Sequence, residues 1–219
     1  MSHLAEKYRP QTFDDLVGQS KIVNRIKFMR DRGGLRGRVF WLVGNSGSGK
    51  TSAARIIAND IADSWAIQEL DAQEFTLDAV RQFERMCSSK PIGEKGCHVF
   101  ICNESHRLSD RVVSRLQTVL EEPCVQRNST WIFTTTIAGQ TSLFADKFDA
   151  CPFLSRATVL EFESRGEQLV LDYACHVRKI AQAEGCDGQP IDRYIDLIKT
   201  CKLNLRQALM AVESGCMLS

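Results

Sequence analysis

Eight residues constrain this chain more than any others: Gly44-Asn45-Ser46-Gly47-Ser48-Gly49-Lys50-Thr51. They satisfy the pattern GxxxxGK[ST], and they stand where that pattern has physical meaning. Just before them, Val39-Phe40-Trp41-Leu42-Val43 is wholly apolar, which predicts a strand buried on both faces of a parallel sheet. Just after them, Ala54, Ile57, Ala58 and Ile61 recur at helical spacing. A buried strand, a glycine-rich turn and a helix N-terminus in that order make a phosphate cradle. The glycines let backbone N–H groups turn inward, and the helix dipole adds partial positive charge. Lys50 is placed to reach the β- and γ-phosphates of a nucleotide, and the Thr51 hydroxyl to ligate Mg²⁺. Gly44 through Thr51, with Ser52 beside them, are therefore the expected nucleotide contacts. The bland alternative is a glycine-rich turn that binds nothing, and both pattern and context count against it.

The rest of the chain repeats the alternation. Ile22, Val23, Ile26 and Met29 mark a helix that ends at Gly33 and Gly34. Leu77, Val80, Phe83 and Met86 mark another. His98–Cys102 reads as a second central strand. Ser109 can cap a helix carrying Val112, Leu116 and Val119, which Pro123 stops. Thr130–Thr136 and Thr158–Phe162 are β-branched or apolar enough to be strands. Strands separated by helices imply βαβ units, hence an α/β fold with a parallel sheet flanked by helices. After Phe162 only helical spacing remains. Ser164 with Glu167 suggests a capping box opening a long helix, Ile191, Ile195 and Ile198 a second, and Asn204 the cap of a third. These features divide the chain into residues 1–163, a nucleotide-binding α/β domain, and 164–219, a small helical lid.

Length and charge add limits. With 219 residues there is ample chain for a buried core. A net charge of +1 gives no global argument for nucleic acid, so any basic surface must be local. The nine cysteines form no CxxC pair and several lie in apolar stretches, which suits small core hydrophobes in a reducing cytoplasm better than disulfides or a metal site. No run approaches the ~18 apolar residues of a membrane span, so a soluble protein without membrane contact is expected.

A second chemical site should end a neighbouring strand. His98-Val99-Phe100-Ile101-Cys102 is followed by Asn103 and Glu104. ATPases with this loop normally carry Asp at the first of these positions to place the metal. Asn103 is a neutral ligand that attracts Mg²⁺ less, while Glu104 remains able to orient or deprotonate an attacking water. A strand-end surface acid is the bland reading of Glu104.

With these residues on the page, the chain resembles the clamp-loader branch of the AAA+ ATPases, the family of the bacterial polymerase III gamma/tau subunit and of the small subunits of replication factor C. Leu4-Ala5-Glu6-Lys7-Tyr8-Arg9-Pro10 and Phe13-Asp14-Asp15-Leu16-Val17-Gly18-Gln19 resemble the family's opening segment. The resemblance implies that Tyr8, Arg9, Pro10 and Val17 contact the adenine and ribose. Glu69-Leu70-Asp71-Ala72 resembles the strand after the phosphate loop, and Leu120-Glu121-Glu122-Pro123 is similar to a stretch rather specific to this branch. Thr130–Thr136 falls where the family keeps a polar sensor of the γ-phosphate, which implies Thr135 or Thr136. Pro152-Phe153-Leu154-Ser155-Arg156 resembles its Ser-Arg-Cys motif, so Arg156 would reach a neighbouring subunit's γ-phosphate. Leu205-Arg206-Gln207-Ala208-Leu209 resembles the second sensor, so Arg206 would contact phosphate in cis from the lid. ATP and Mg²⁺ are the implied ligands; other clamp-loader subunits, a sliding clamp and primer-template DNA are the implied partners. The helix around Phe75, Leu77, Phe83 and Met86 lies where family members touch the clamp, although an amphipathic core helix explains it equally.

The departures also carry information. Ala157 replaces the motif's cysteine, the gamma/tau zinc module is absent, and the stretch Ala138–Ala150 is longer than the family's. The family continues beyond the position of Ser219 into a helical collar, so the chain is a fragment or its assembly differs. Two readings follow. In one, Lys50 and Thr51 hold nucleotide and metal, Glu104 activates water, Arg156 acts in trans, and hydrolysis drives clamp loading. In the other, Asn103 suppresses turnover and ATP gates a partner surface through Arg206. An Asn103→Asp variant is the obvious means of separating them.

Overall fold

A computed structural model describes residues 3–136 and 157–218 of the chain. Its centre is a sheet of Val39–Val43 (β1), Ile67–Asp71 (β2), His98–Asn103 (β3), Ser129–Thr135 (β4) and Thr158–Glu161 (β5), in the order β2-β3-β4-β1-β5. Every pairing is parallel. Parallel neighbours need long crossovers, and helices supply them. Among the described residues, the helices before the last strand are Leu4–Lys7 (α1), Ser20–Asp31 (α2), Lys50–Ile61 (α3), Leu77–Met86 (α4), Asp110–Val119 (α5) and Pro123–Asn128 (α6). The central strands β3 and β4 are buried almost throughout, as is β1. The edge strand β2 is half-buried, which is why its Ile-Gln-Glu-Leu-Asp sequence lacks an apolar run.

Alternate side chains of each strand point to opposite faces. Phe40, Leu42, Val99, Ile101, Ile132 and Leu160 share a core with α2 and α3, through Ile26, Ile57 and Ala58. Trp41, Val43, Phe100, Cys102, Trp131 and Phe133 share the other with α4 and α5, through Val80, Phe83, Val112 and Leu116. The Phe100 ring lies 4.4 Å from Phe83 and 4.5 Å from Trp131. Each such pair adds about 0.5–1.5 kcal/mol beyond area burial. Phe75 and Phe83 are buried in this cluster, with Leu77 and Met86 packed against it. The core explanation of that helix is the one its geometry supports.

Two details differ from the sequence expectations. Pro123 does more than stop a helix: α5 ends at Val119, and Pro123 opens α6, where its missing N–H costs nothing. The proposed capping box at Ser164 does not form. The helix Glu167–Ala183 (α7) begins at Glu167 itself, preceded by Gly166 at φ 118°, so the glutamate is the first helical residue rather than the third. The edge strand β2 carries no periodic signal of its own. By contrast Asn204 caps its helix, accepting from Gln207 N at 3.2 Å. Ile191–Thr200 (α8) and Leu205–Glu213 (α9) complete the helical unit. The buried thiols behave as core atoms, with burial pushing Cys87 up to about 11 and Cys102 up to about 12. Cys151 lies outside the described residues. Among the described residues no helix is long and apolar enough to cross a membrane.

The first segment joins the two units. Leu4 packs in the cluster of Tyr173, Val177 and Leu209, whereas Phe13 and Leu16 pack under the sheet. Gly18 passes so close to α7 that a Cβ there would lie 2.3 Å from Leu169 Cδ1. Gln19 is buried and spans the junction: its Oε1 accepts from Glu163 N at 2.8 Å, and its Nε2 donates to Glu163 O and Tyr173 Oη at 3.2 Å each. At the end of α7, the Glu184 carboxylate accepts from Lys7 Nζ at 2.6 Å and Tyr8 Oη at 2.5 Å.

These bonds hold the Glu184 carboxyl below its ordinary value of 4.5. A depressed acid stabilises the fold above its unfolded pKa and loses that contribution as pH falls through the folded value. Glu184→Gln should therefore be less stable than wild type at neutral pH, with the difference vanishing in acid. Urea unfolding across that range measures it; a difference independent of pH would exclude the carboxylate.

Candidate nucleotide-binding site

The glycine-rich turn leaves β1 and enters α3 with Gly47 at φ 75° and Gly49 at φ 95°, conformations that L side chains adopt only with strain. The turn wraps the Lys50 side chain. Lys50 Nζ donates to Gly44 O at 2.9 Å and to Asn45 O at 2.7 Å, and the residue is 8% exposed. Burial pushes its ammonium down from 10.5 to about 8, helped by Arg206 and opposed by Glu104. A fall of that size corresponds to roughly 3 kcal/mol against the charged form. A polyphosphate seated on the turn would return it, because an anion favours the ammonium.

Parallel pairing brings other strand ends alongside. Val43 is in register with Thr135, and Asp71 with Asn103. Thr51 Oγ1 donates to Asn103 Oδ1 at 3.2 Å, and Thr134 Oγ1 donates to the same oxygen at 3.1 Å. Asn103 Nδ2 donates to Glu69 Oε1 at 2.8 Å. Glu104 follows in a left-handed conformation, φ 53° and ψ 39°. A non-glycine residue there costs on the order of 1–3 kcal/mol, and such strain clusters at functional sites. Glu104 Oε2 lies 3.4 Å from His106 Nε2, and His106 Nδ1 lies 3.4 Å from Thr135 Oγ1.

One cavity unites most of the expected residues. Ser46, Gly47, Ser48, Gly49, Lys50, Thr51 and Ser52 line it, together with Glu104, Arg206 and the first segment's Tyr8, Arg9, Pro10 and Val17. Gly44 and Asn45 hold Lys50 from behind rather than lining it. Asn103 meets it through Thr51 and Thr134. Of the threonines at the end of this strand, Thr134 lines the cavity and Thr136 does not. They share a strand face, being two residues apart, but Thr136 lies beyond the end of β4. Thr135 turns the other way, toward His106. Arg156 lies outside the described residues. Asp15, Leu16, His176, Leu205 and Leu209 also line the cavity without having been singled out. His176 was within reach of sequence reasoning, since Leu169, Tyr173, His176 and Ile180 fall on one helical stripe. Burial and nearby Lys179 push its imidazolium below 6.5, against Asp15.

The residues suit a nucleotide triphosphate. Ser48 Oγ is buried with no hydrogen-bond partner among the described residues, on a loop built around inward amides and a buried ammonium. Thr51 Oγ1 and Asn103 Oδ1 are hard oxygen donors of the kind Mg²⁺ accepts beside phosphates and water.

The family model "ATPase family associated with various cellular activities (AAA)" matches residues 40–149. The replication factor C small subunit of Halobacterium salinarum is 29% identical over 215 residues, 96% of this chain and 62% of that protein. The protein of that name from Methanoregula boonei is 27% identical over 219 residues, 98% and 63% respectively. The chain thus spans less than two thirds of these relatives' length. Among solved structures, a Thermotoga maritima RuvB variant superposes with a TM-score of 0.70 at 20% identity, over 94% of this chain and 64% of that one. This likeness concerns the fold.

The loop also touches the helical unit. A Cβ on Gly47 would lie 2.0 Å from Asn204 Oδ1, the cap of α9, which carries Arg206. Gly47→Ala should cost ~1–2 kcal/mol in backbone strain and a further ~1 kcal/mol by uncapping α9. In an Asn204→Gly background only the strain should remain. Equal costs in both backgrounds, read by urea unfolding, would dissociate the loop from the cap.

Proposed function

This chain belongs to the AAA family of ATPases, and from that premise we propose that it is an ATP-binding, clamp-loader-like subunit. Its nucleotide cycle would serve the loading of a sliding clamp on primer-template DNA. The observation that carries the reading is the convergence on one cavity of the phosphate loop, the strand-end acid Glu104 and the helical-unit arginine Arg206. The similarity to replication factor C small subunits supports the clamp-loading part.

In this reading Tyr8, Arg9, Pro10 and Val17 hold the base end of the nucleotide, and the loop amides hold the phosphates. Lys50 and Arg206, which line the same cavity, neutralise phosphate oxygens. Mg²⁺ between Thr51 and Asn103 would add positive charge beside the transferred phosphoryl group. Glu104, beside Lys50, orients the attacking water and accepts its proton. Thr134 takes the sensor position. Arg156 completes a neighbouring subunit's site, since a guanidinium offsets charge developing on the transferred group. A second reading is favoured by Asn103, whose amide adds no charge to the metal: ATP binding then closes the helical unit through Arg206 and gates assembly, with little turnover.

Lys50→Ala should weaken ATP binding at least ~100-fold in calorimetry, by loss of the only buried ammonium touching the loop among the described residues. Normal affinity in that variant would remove the phosphate-loop assignment. Glu104→Gln should bind ATP normally and lower phosphate release by ~100-fold or more. The two readings part on wild type with primed DNA, clamp and partner subunits: stimulated release supports the loader, and release no faster than from Glu104→Gln supports the gate. Arg156→Ala should lower stimulated release with binding unchanged.

A further inference from the structure

We infer that Glu69 is a positioning residue for the metal side of this site, acting through the Asn103 amide. The inference rests on the nucleotide reading above. Glu69 and Asn103 sit on neighbouring parallel strands; Glu69 pairs with Ile101, two residues before Asn103 on the same face. From that face Arg55 of α3 clamps the Glu69 carboxylate, Nε to Oε2 at 2.6 Å and Nη2 to Oε1 at 3.0 Å. A fork-on-fork pair of this kind fixes the plane of the carboxylate. Oε1 then accepts from Asn103 Nδ2 at 2.8 Å.

The contact decides which way the Asn103 amide faces. Its two ends are alike in shape but opposite in hydrogen bonding. The hydroxyls of Thr51 and Thr134 can donate or accept, so they impose no choice. An ionised carboxylate only accepts. Glu69 therefore draws the NH₂ end to itself and leaves Oδ1 toward Thr51 and Thr134, the end a cation would use. Arg55, Glu69, Asn103 and Thr51 form a chain of polarity from the outer edge of the sheet to the phosphate loop.

With the side chains so arranged, an acid at 103 is set against Glu69. An aspartate would place a carboxylate oxygen where Nδ2 now sits, at hydrogen-bonding distance from Glu69 Oε1, with no proton between them. Asn103→Asp alone is consequently a poor separator of the two functional readings, because it sets two like charges together. Exchanging the pair, as Glu69→Gln with Asn103→Asp, rebuilds the bond with its polarity reversed: the new amide on β2 donates, and the new carboxylate on β3 accepts.

Four proteins test this: wild type, Glu69→Gln, Asn103→Asp and the double variant. Two measurements are made on each, the melting temperature without nucleotide and the ATP affinity with Mg²⁺ and with EDTA. Asn103→Asp should melt about 5 °C lower, and the double variant should recover most of that loss. Glu69→Gln removes the charge that orders the amide, so the Mg²⁺-dependent gain in ATP affinity should fall about tenfold; the double variant should restore it to the wild-type value or above. A double variant that melts no higher than Asn103→Asp overturns the pairing. An unchanged Mg²⁺ gain in Glu69→Gln overturns the positioning role even if the melting temperatures couple. Absence of ATP affinity in folded wild type overturns the nucleotide reading and the metal role together, whereas recovery in the nucleotide-free melting temperatures still reads the Glu69–Asn103 contact independently.

Discussion

Parallel pairing is the constraint from which the site follows. When neighbouring strands run the same way, their C-terminal ends emerge on one edge of the sheet. Here that edge collects the end of β1 with the phosphate loop, the end of β3 with Asn103 and Glu104, and the end of β4 with Thr134 and Thr135. The register does the fine placement, setting Val43 beside Thr135 and Asp71 beside Asn103. An antiparallel sheet of the same residues would send half of these ends to the opposite edge. The two apolar cores matter to the chemistry for this reason: they hold the strands in a register that no local interaction at the edge could enforce.

A second constraint is the burial of a charge. Lys50 lies within a turn that offers its ammonium two carbonyl oxygens and little water. Its neighbours Glu104 and Arg206 pull in opposite directions. Left-handed glycines and a left-handed Glu104 give the surrounding backbone a shape few residues tolerate. The strain is supported by the helix behind Lys50 and by the sheet beneath Glu104, so the shape of the edge is set by the fold around it. That is the condition under which oriented amides favour a polyphosphate over the water it displaces.

What could be read in the sequence, and what could not, divides by distance along the chain. The phosphate loop was legible because its strand, turn and helix are contiguous, and each has its own signal in period or in glycine. The strands β1 and β3 were legible because burial on two faces leaves an unbroken apolar run, and β4 because its residues are apolar or β-branched. The edge strand β2 was legible only through the family resemblance of Glu69-Leu70-Asp71-Ala72, since half its surface is wet and its residues alternate weakly. The capping box at Ser164 failed for a local reason, the helix starting only after Gly166. That Thr134 and not Thr136 lines the cavity was not legible, because strand ends are not marked by periodicity, and a shift of two residues preserves the face while moving the side chain along the edge. The contacts between units were beyond sequence reasoning altogether. Gly47 against Asn204, Gln19 against Glu163 and Leu4 against the last helices join residues more than a hundred positions apart, and nothing in either partner names the other.

Those long-range contacts bear on how the edge communicates with the helical unit. The first segment packs Leu4 against the helices and Phe13 and Leu16 against the sheet, so it is ordered by both. Its middle, Tyr8 to Pro10, is left over the cavity between the two anchors. The tightest point is Gly47, which allows the Asn204 side chain to reach the loop, and Asn204 sets the start of the helix that carries Arg206. Arg206 and Lys50 line the same cavity, and the like charge of Arg206 helps hold the Lys50 ammonium down. Under the proposed nucleotide reading a polyphosphate in that cavity would attract both, so that one anion would act on the loop and on the helix that carries Arg206 together.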